Sequence, residues 1–262
     1  MPIQSNNPGP KLAKRDSYSD YDKFAWLFDR EWGSFGVELF PALNRLAHGR
    51  IPTKAKVLDL CCGTGQLAKL LSESGYRVTA IDGSVEMIRL AESRAPQAEF
   101  LLADARNFHL PPVFKAVFCT FDSLNHLMSS VELKAALQNI WDCLAVGGIF
   151  LFDLNTEEAY LKQWKGYIEV VDKPDCFYAN RAYYDSKTQQ AQTHCIFFSR
   201  NGQRWQRSEA RLDQKYHPVE KVNSLLHEIG FVNVHKYALN RQLRLHRYTK
   251  SATRILLDCQ KP

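Results

Sequence analysis

The stretch Val57-Leu58-Asp59-Leu60-Cys61-Cys62-Gly63-Thr64-Gly65-Gln66 decides the fold. Lys56–Leu60 is a short apolar run bounded by a glycine turn, the pattern of a buried strand. Gln66–Ser74 then places Leu67, Leu70 and Leu71 on one helical face, and Gly75 stands where a helix C-cap needs a left-handed residue. A strand, a glycine turn and a helix follow one another without slack. Gly63 and Gly65 let the turn be tight and let the backbone approach a ligand with no Cβ between them.

Outward from this turn, strands and helices alternate as far as Asn155. Arg77–Ile81 predicts a second strand ending at Asp82. Ser84 is a good N-cap for a helix carrying Met87, Ile88, Leu90 and Ala91. Glu99–Ala103 and Ala116–Phe121 read as the third and fourth strands. Ser129 and Glu132 have capping-box spacing before a helix with Leu133, Ala136, Leu137, Ile140, Trp141 and Leu144 on one face. Gly147-Gly148 is expected to end that helix, and Ile149–Leu154 is the fifth strand. Strands joined through helices imply right-handed crossovers and an α/β fold with helices on both faces of a mostly parallel sheet. Ligands in such sheets bind beyond the carboxyl ends of the strands. Asp59, Asp82, Asp104, Asp122 and Asp153 all fall at or near those ends.

From about Gly166 to Gln214 the period changes to a short, aromatic alternation, with Asn201-Gly202 as a hairpin turn. Three or four antiparallel strands are expected there, inserted after the fifth strand. Tyr178, Tyr183 and Tyr184 either line a pocket or pack within that sheet. Helical spacing returns at Val219–Ile229 with Gly230 as C-cap. Two strands follow near Phe231–Leu239 and Thr253–Gln260, completing a seven-stranded Rossmann-like sheet. The expected division is a flexible arm over 1–15, a main domain over 16–155 and 216–262, and a β-rich insertion over 156–215 that serves as a lid or dimer element.

Composition narrows the class. The chain is 45% apolar and 12% aromatic, enough for a packed core. No apolar run approaches the roughly 18 residues of a membrane span, and the opening MPIQSNNPGPKLAKRD lacks the apolar stretch of a secretory signal. Seven cysteines without paired spacing predict reduced thiols and a cytoplasmic protein. The net charge of +6 is mild. Arg241, Arg244, His246, Arg247 and Lys250 form either an anion-attracting cluster or a solvated loop.

The segment Val57–Gln66 resembles motif I of class I S-adenosylmethionine-dependent methyltransferases, an acidic residue followed by alternating glycines. Asp59, Gly63 and Gly65 stand at matching positions, and Cys61 replaces the first glycine. The resemblance implies S-adenosylmethionine as cofactor, its methionyl portion at the helix N-terminus, and S-adenosylhomocysteine as product. It also implies that Asp82, with Gly83 beside it, accepts hydrogen bonds from the ribose hydroxyls, and that Asp104-Ala105 lies against the adenine. Phe121 and Asp122 join this cofactor set. NAD-binding domains share an acidic second strand but prefer a third glycine, where Ala68 stands here. No metal is implied.

The likeness extends to Tyr18–Asp29, where many small-molecule methyltransferases carry a Tyr-Asp segment folding over cofactor and acceptor. Tyr21 and Asp22 match it, although an amphipathic helix that simply packs on the sheet explains Trp26 and Phe28. Phe121–Leu127 (FDSLNHL) is similar to the acceptor-facing loop of N-methyltransferases acting on nucleotide-linked amino sugars. His126 matches a histidine there, as a general base or acceptor-orienting group, with Asn125 placed to hold its tautomer; a structural helix cap is the alternative. The loop lacks the Asn-Pro-Pro-aromatic tetrapeptide of nucleic-acid base methyltransferases, and Pro111-Pro112 lies too early to serve. A small-molecule N- or O-acceptor is therefore expected, with no nucleic acid and no membrane, and with a homodimer through the insertion as an option. A quinone- or lipid-like acceptor, and a non-catalytic cofactor-binding protein, are the competing readings.

Overall fold

The computed structural model describes residues 19–262, so the expected arm over 1–15 and Tyr18 lie outside the described residues. Helices α1 (Ser19–Glu31) and α2 (Phe35–Ala47) lead into β1 (Lys56–Leu60), α3 (Gln66–Glu73), β2 (Arg77–Asp82), α4 (Val85–Arg94), β3 (Glu99–Leu102) and β4 (Phe114–Cys119). A 3₁₀ turn at Ser123–His126 precedes α5 (Ser130–Cys143) and β5 (Leu144–Asn155). The order of the main sheet begins β3-β2-β1-β4-β5, all parallel. It reverses between β1 and β4, and that switch point opens a crevice at the carboxyl ends of the strands.

After β5 the chain makes α6 (Glu157–Ala159) and a π turn at Tyr160–Trp164. It then forms an antiparallel sheet of β6 (Ile168–Lys173), β7 (Cys176–Asp185), β8 (Gln190–Asn201) and β9 (Arg204–Lys215), in that order. The inserted antiparallel sheet thus stands where the alternating period places it. The chain returns through α7 (Val219–Ile229) to β10 (Val232–Leu239), β11 (Leu245–Arg247) and β12 (Arg254–Gln260).

Two details differ from the sequence expectation. Among the described residues the main sheet has eight strands, because β11 pairs antiparallel with the end of β10. Its three residues, half-buried Leu245 and exposed His246 and Arg247, are too few to show a periodicity. Gly147-Gly148 does not end α5, which stops at Cys143; the glycines sit inside β5, where Gly147 turns to φ +77°. Gly147 N–H donates to the Lys261 carbonyl and Lys261 N–H to that of Gly148, so the pair bends the strand while staying in the ladder.

One face of the sheet packs α5 and α7 through Leu133, Leu137, Ile140, Val222 and Leu226. The other packs α2, α3 and α4 through Leu39, Leu43, Leu67, Leu71 and Ile88. The inserted sheet instead packs on α1, where Phe24 and Leu27 meet Tyr178, Cys195 and Phe197. Helix α1 is held between the two sheets. Its Asp22 accepts from the Ser84 hydroxyl (2.6 Å), and its Asp29 accepts from the Thr64 hydroxyl (2.6 Å) and pairs with Arg94. No helix among the described residues is long and apolar enough to cross a membrane.

Candidate functional site

Two cavities adjoin at the switch point. The first, about 1120 Å³, opens over the ends of β1, β2 and β4 and is lined by Cys61, Gly63, Asp82, Gly83, Ala105 and Phe121 among others. The second, about 1150 Å³, lies between α1, the inserted sheet and β12. Tyr21, Phe28, Phe121 and His126 line both, so these four side chains form the shared wall. Both volumes include space open to solvent.

Local backbone explains how the first cavity forms. Cys61 and Gly63 adopt left-handed conformations at φ +59° and +53°. A Cβ on Gly63 would come within 3.3 Å of the Phe28 ring, so the missing side chain keeps α1 close above the turn. Asp82 accepts from Gly63 N–H (2.8 Å) and Ser84 N–H (2.9 Å), which fixes its carboxylate at the cavity wall. Burial raises the carboxyl above its ordinary range. A carboxylate has about four acceptor positions, so oxygens already fixed by backbone donors retain capacity for a vicinal diol.

The turn after β4 is strained as well. Phe121 and Asp122 are both left-handed, at φ +63° and +48°, each costing about 1–2 kcal/mol. Asp153, at the end of β5, holds them by accepting from both N–H groups, at 2.6 and 3.1 Å. Its carboxyl is pushed up to about 6 by burial, against the opposing pull of Arg254. Arg254 bridges Asp153 and Asp122, with Nη2 2.6 Å from Asp122, and its guanidinium lies 4.7 Å from the Phe35 ring. Asp122 and Arg254 border the second cavity, with Asp153 buried behind them.

His126 stands where these parts meet. Its Nδ1 is 2.8 Å from the Asp213 carbonyl, which only accepts, so Nδ1 carries the proton. Nε2 then receives the Tyr21 hydroxyl and the Gln214 amide, each at 3.0 Å. Gln214 also donates to Asp122 and accepts from the Tyr160 hydroxyl (2.8 Å). Burial lowers the imidazole pKa, leaving the ring neutral at neutral pH.

The expected residues distribute unevenly. Cys61, Gly63, Asp82, Gly83, Ala105 and Phe121 line the first cavity, while Asp122 lines only the second. Asp59 lies beneath the turn at 1% exposure and accepts from Ala68 N–H in the first turn of α3. Gly65 is also behind the wall; its Cβ would sit 2.8 Å from that of Ala91, so its role is close packing of α4. Asp104 holds Arg106, and Arg106 rather than Asp104 borders the cavity. Asn125 does not set the His126 tautomer; it bonds the backbone of Asn155 and Lys215. Tyr178 and Tyr184 pack at 3% exposure and Tyr183 is exposed, whereas Tyr167 lines the second cavity. Arg254 and Gln214 were not singled out from sequence, since each comes from a segment with no motif and meets the site only through the fold.

Among the described residues no cluster of His, Cys, Asp and Glu is arranged to hold a metal ion, and all seven cysteines are free thiols.

A family model described as a methyltransferase domain matches residues 57–148. A Bacillus subtilis (strain 168) protein named as methyltransferase YqeM is 29% identical over 185 residues, 69% of this chain and 75% of that one. The dTDP-3-amino-3,6-dideoxy-alpha-D-glucopyranose N,N-dimethyltransferase of Streptomyces fradiae is 38% identical over 96 residues, 37% of this chain and 38% of that enzyme. In fold, a crystal structure of an S-adenosylmethionine-dependent methyltransferase from Clostridium acetobutylicum ATCC 824 superposes with a TM-score of 0.77 at 21% identity, covering 92% of this chain and 98% of that one. The matched domain spans the strand–turn–helix units that wall the first cavity, so the chain carries a methyltransferase domain on the fold of an S-adenosylmethionine-dependent methyltransferase.

Proposed function

We propose that the first cavity holds S-adenosylmethionine and the second a small amine, and that the enzyme methylates the amine nitrogen. The observation that carries this reading is the Tyr21–His126 hydrogen bond in the wall common to both cavities. The cofactor supplies a methyl group on a sulfonium whose leaving group is a neutral thioether. The chain's part is then alignment, exclusion of water and removal of one proton.

Asp82 binds the ribose hydroxyls, with Gly63 and Gly83 giving close backbone approach and Ala105 beside the adenine. Phe28 and Phe121 exclude water from the line of transfer. An ammonium in the second cavity hydrogen-bonds to the Tyr21 oxygen, which takes its proton while the tyrosine hydroxyl proton passes to His126 Nε2. The amine so deprotonated would present its lone pair to the methyl group, which the bound cofactor would supply with a neutral thioether as leaving group. The Asp213 carbonyl and the nearby Asp122 charge favour the imidazolium that results. The relative from Streptomyces fradiae, named for an amino-sugar acceptor, supports nitrogen over oxygen. On the same reading, 156–215 is a fixed cover for the acceptor, and the protein works in the cytoplasm without nucleic acid.

The test is transfer of labelled methyl from S-adenosylmethionine to a panel of amines, phenols and quinols. Amine-selective transfer, with mono- and dimethylated products by mass spectrometry, is expected. Transfer confined to a phenol or quinol overturns the reading.

A further inference from the structure

The second cavity carries a chemical signature of its own. Of the described residues lining it, Asp122 and Arg254 alone are formally charged, His126 being neutral. Arg254 is already spent between two carboxylates, Asp122 and Asp153, so the cluster is net negative when both acids are ionised. Among the described residues the cavity therefore offers no uncommitted cation to an anionic substituent. Placing a phosphate or carboxylate against this cluster costs desolvation and like-charge repulsion with nothing to offset them.

The walls favour the opposite charge. Tyr21, Phe24, Phe28, Trp32, Trp164 and Tyr167 surround the space, and aromatic faces attract ammonium groups. The remaining polar lining is amide and hydroxyl. Asn180 lines the cavity with its Oδ1 buried and without a hydrogen-bond partner, a carbonyl oxygen that a donor on the acceptor would satisfy.

We infer that the acceptor is a compact amine bearing neither phosphate nor carboxylate, held as a cation by an aromatic cavity bordered by the Asp122–Arg254–Asp153 cluster. The inference rests on the N-methylation reading above and narrows it. It departs from the Streptomyces fradiae relative, whose named acceptor is a dTDP-linked sugar. It also separates the acceptor from amino acids, whose carboxylate calls for a free cation.

Binding is read by quenching of tryptophan fluorescence, since Trp32 and Trp164 line the cavity, with S-adenosylhomocysteine present. The probes are 3-amino-3-deoxyglucose, its 1-phosphate, its dTDP-linked form and glycine. The free amino sugar is expected to bind at least tenfold more tightly than the other three. Equal or weaker binding of the free sugar, including none, overturns the inference. If the phosphorylated or carboxylated amines are also methylated, N-methylation survives and only the narrowing falls. Labelled transfer to catechol and to no amine removes the reading beneath it. The Asp122→Asn variant adds a second measure. Relieving one carboxylate from Arg254 should narrow the preference for the free sugar over its 1-phosphate, and an unchanged ratio counts against the charge argument. The wild-type comparison stands alone should that variant not fold.

Discussion

The Tyr21 hydroxyl lies 3.0 Å from His126 Nε2, tying helix α1 to the turn after β4 across 105 residues of sequence. Nδ1 is committed to the Asp213 carbonyl, so in the proposed mechanism the two side chains act as one proton-accepting unit. His126→Ala should lower kcat about 10²–10⁴-fold, the usual contribution of a positioned base. Tyr21→Phe should fall in the same range, and the double variant should be little worse than either single one, as for residues acting together. Affinity for S-adenosylhomocysteine by calorimetry should stay within about threefold. Additive losses, or near-normal turnover across pH 6 to 9, would refute the unit.

His217 supplies a pH dependence of stability separate from catalysis. It is buried, donates from Nε2 to the Leu127 carbonyl (2.8 Å), and burial lowers its pKa to about 4. The unfolded chain then binds a proton more readily than the folded one. Stability from this group is complete above the unfolded value of about 6.5 and is lost as pH falls toward 4. Between pH 7.5 and 5 the loss should be about 2 kcal/mol. His217→Gln keeps an N–H donor but cannot charge, so urea unfolding at the two pH values should show a smaller difference in the variant. An identical difference would remove His217 from the account.

Asp59 works in the other direction. Its carboxyl is pushed up to about 8, first by burial and then by the Asp82 charge. The folded chain binds the proton more tightly here, so stability declines as pH rises from about 4 to 8. Asp59→Asn retains an acceptor for Ala68 N–H and should stabilise the protein at pH 8 by at least about 1 kcal/mol. Cofactor affinity should change less than threefold, because Asp59 stands behind the cavity wall. A tenfold loss of affinity in a folded variant would return Asp59 to the cofactor site.

The alternation of period along the chain made the layers legible. The 3.6-residue spacing of α5, with its Ser129–Glu132 capping box, and the two-residue spacing from β6 to β9 both report one-sided burial. The strand-end acids were legible as a set but not in their duties. Asp82 and Asp59 each lie at the end of a buried strand in sequence, yet one faces a cavity and the other a helix turn, and only three-dimensional placement separates them. Arg254 begins the last strand with no local pattern. Its importance comes from β12 lying beside β5, which brings it to Asp153 from 101 residues away. His126 was visible as a polar residue after a strand, but its tautomer depends on a β9 carbonyl that no spacing rule reaches.

The two glycines of the β1–α3 turn should respond differently to the same substitution. Both have positive φ, so alanine at either position costs about 1–2 kcal/mol in backbone strain. At Gly65 a Cβ also meets Ala91 at 2.8 Å from its Cβ and 2.9 Å from its Cα. Those atoms belong to helix α4 and yield only by moving it, which adds about 1–3 kcal/mol of overpacking. At Gly63 the nearest atom is Cε1 of Phe28 at 3.3 Å, a ring on α1 that can shift by a few tenths of an ångström. Yet Gly63 faces the cavity and donates its N–H to Asp82, the proposed ribose acceptor. Gly65→Ala should therefore lose about 2–5 kcal/mol in urea unfolding while its folded fraction binds S-adenosylhomocysteine with near-normal affinity. Gly63→Ala should lose about 1–2 kcal/mol of stability but bind the cofactor product at least tenfold more weakly. Equal stability losses with equal binding losses would mean that both glycines serve the same purpose, against the separation of packing from ligand approach seen in the turn.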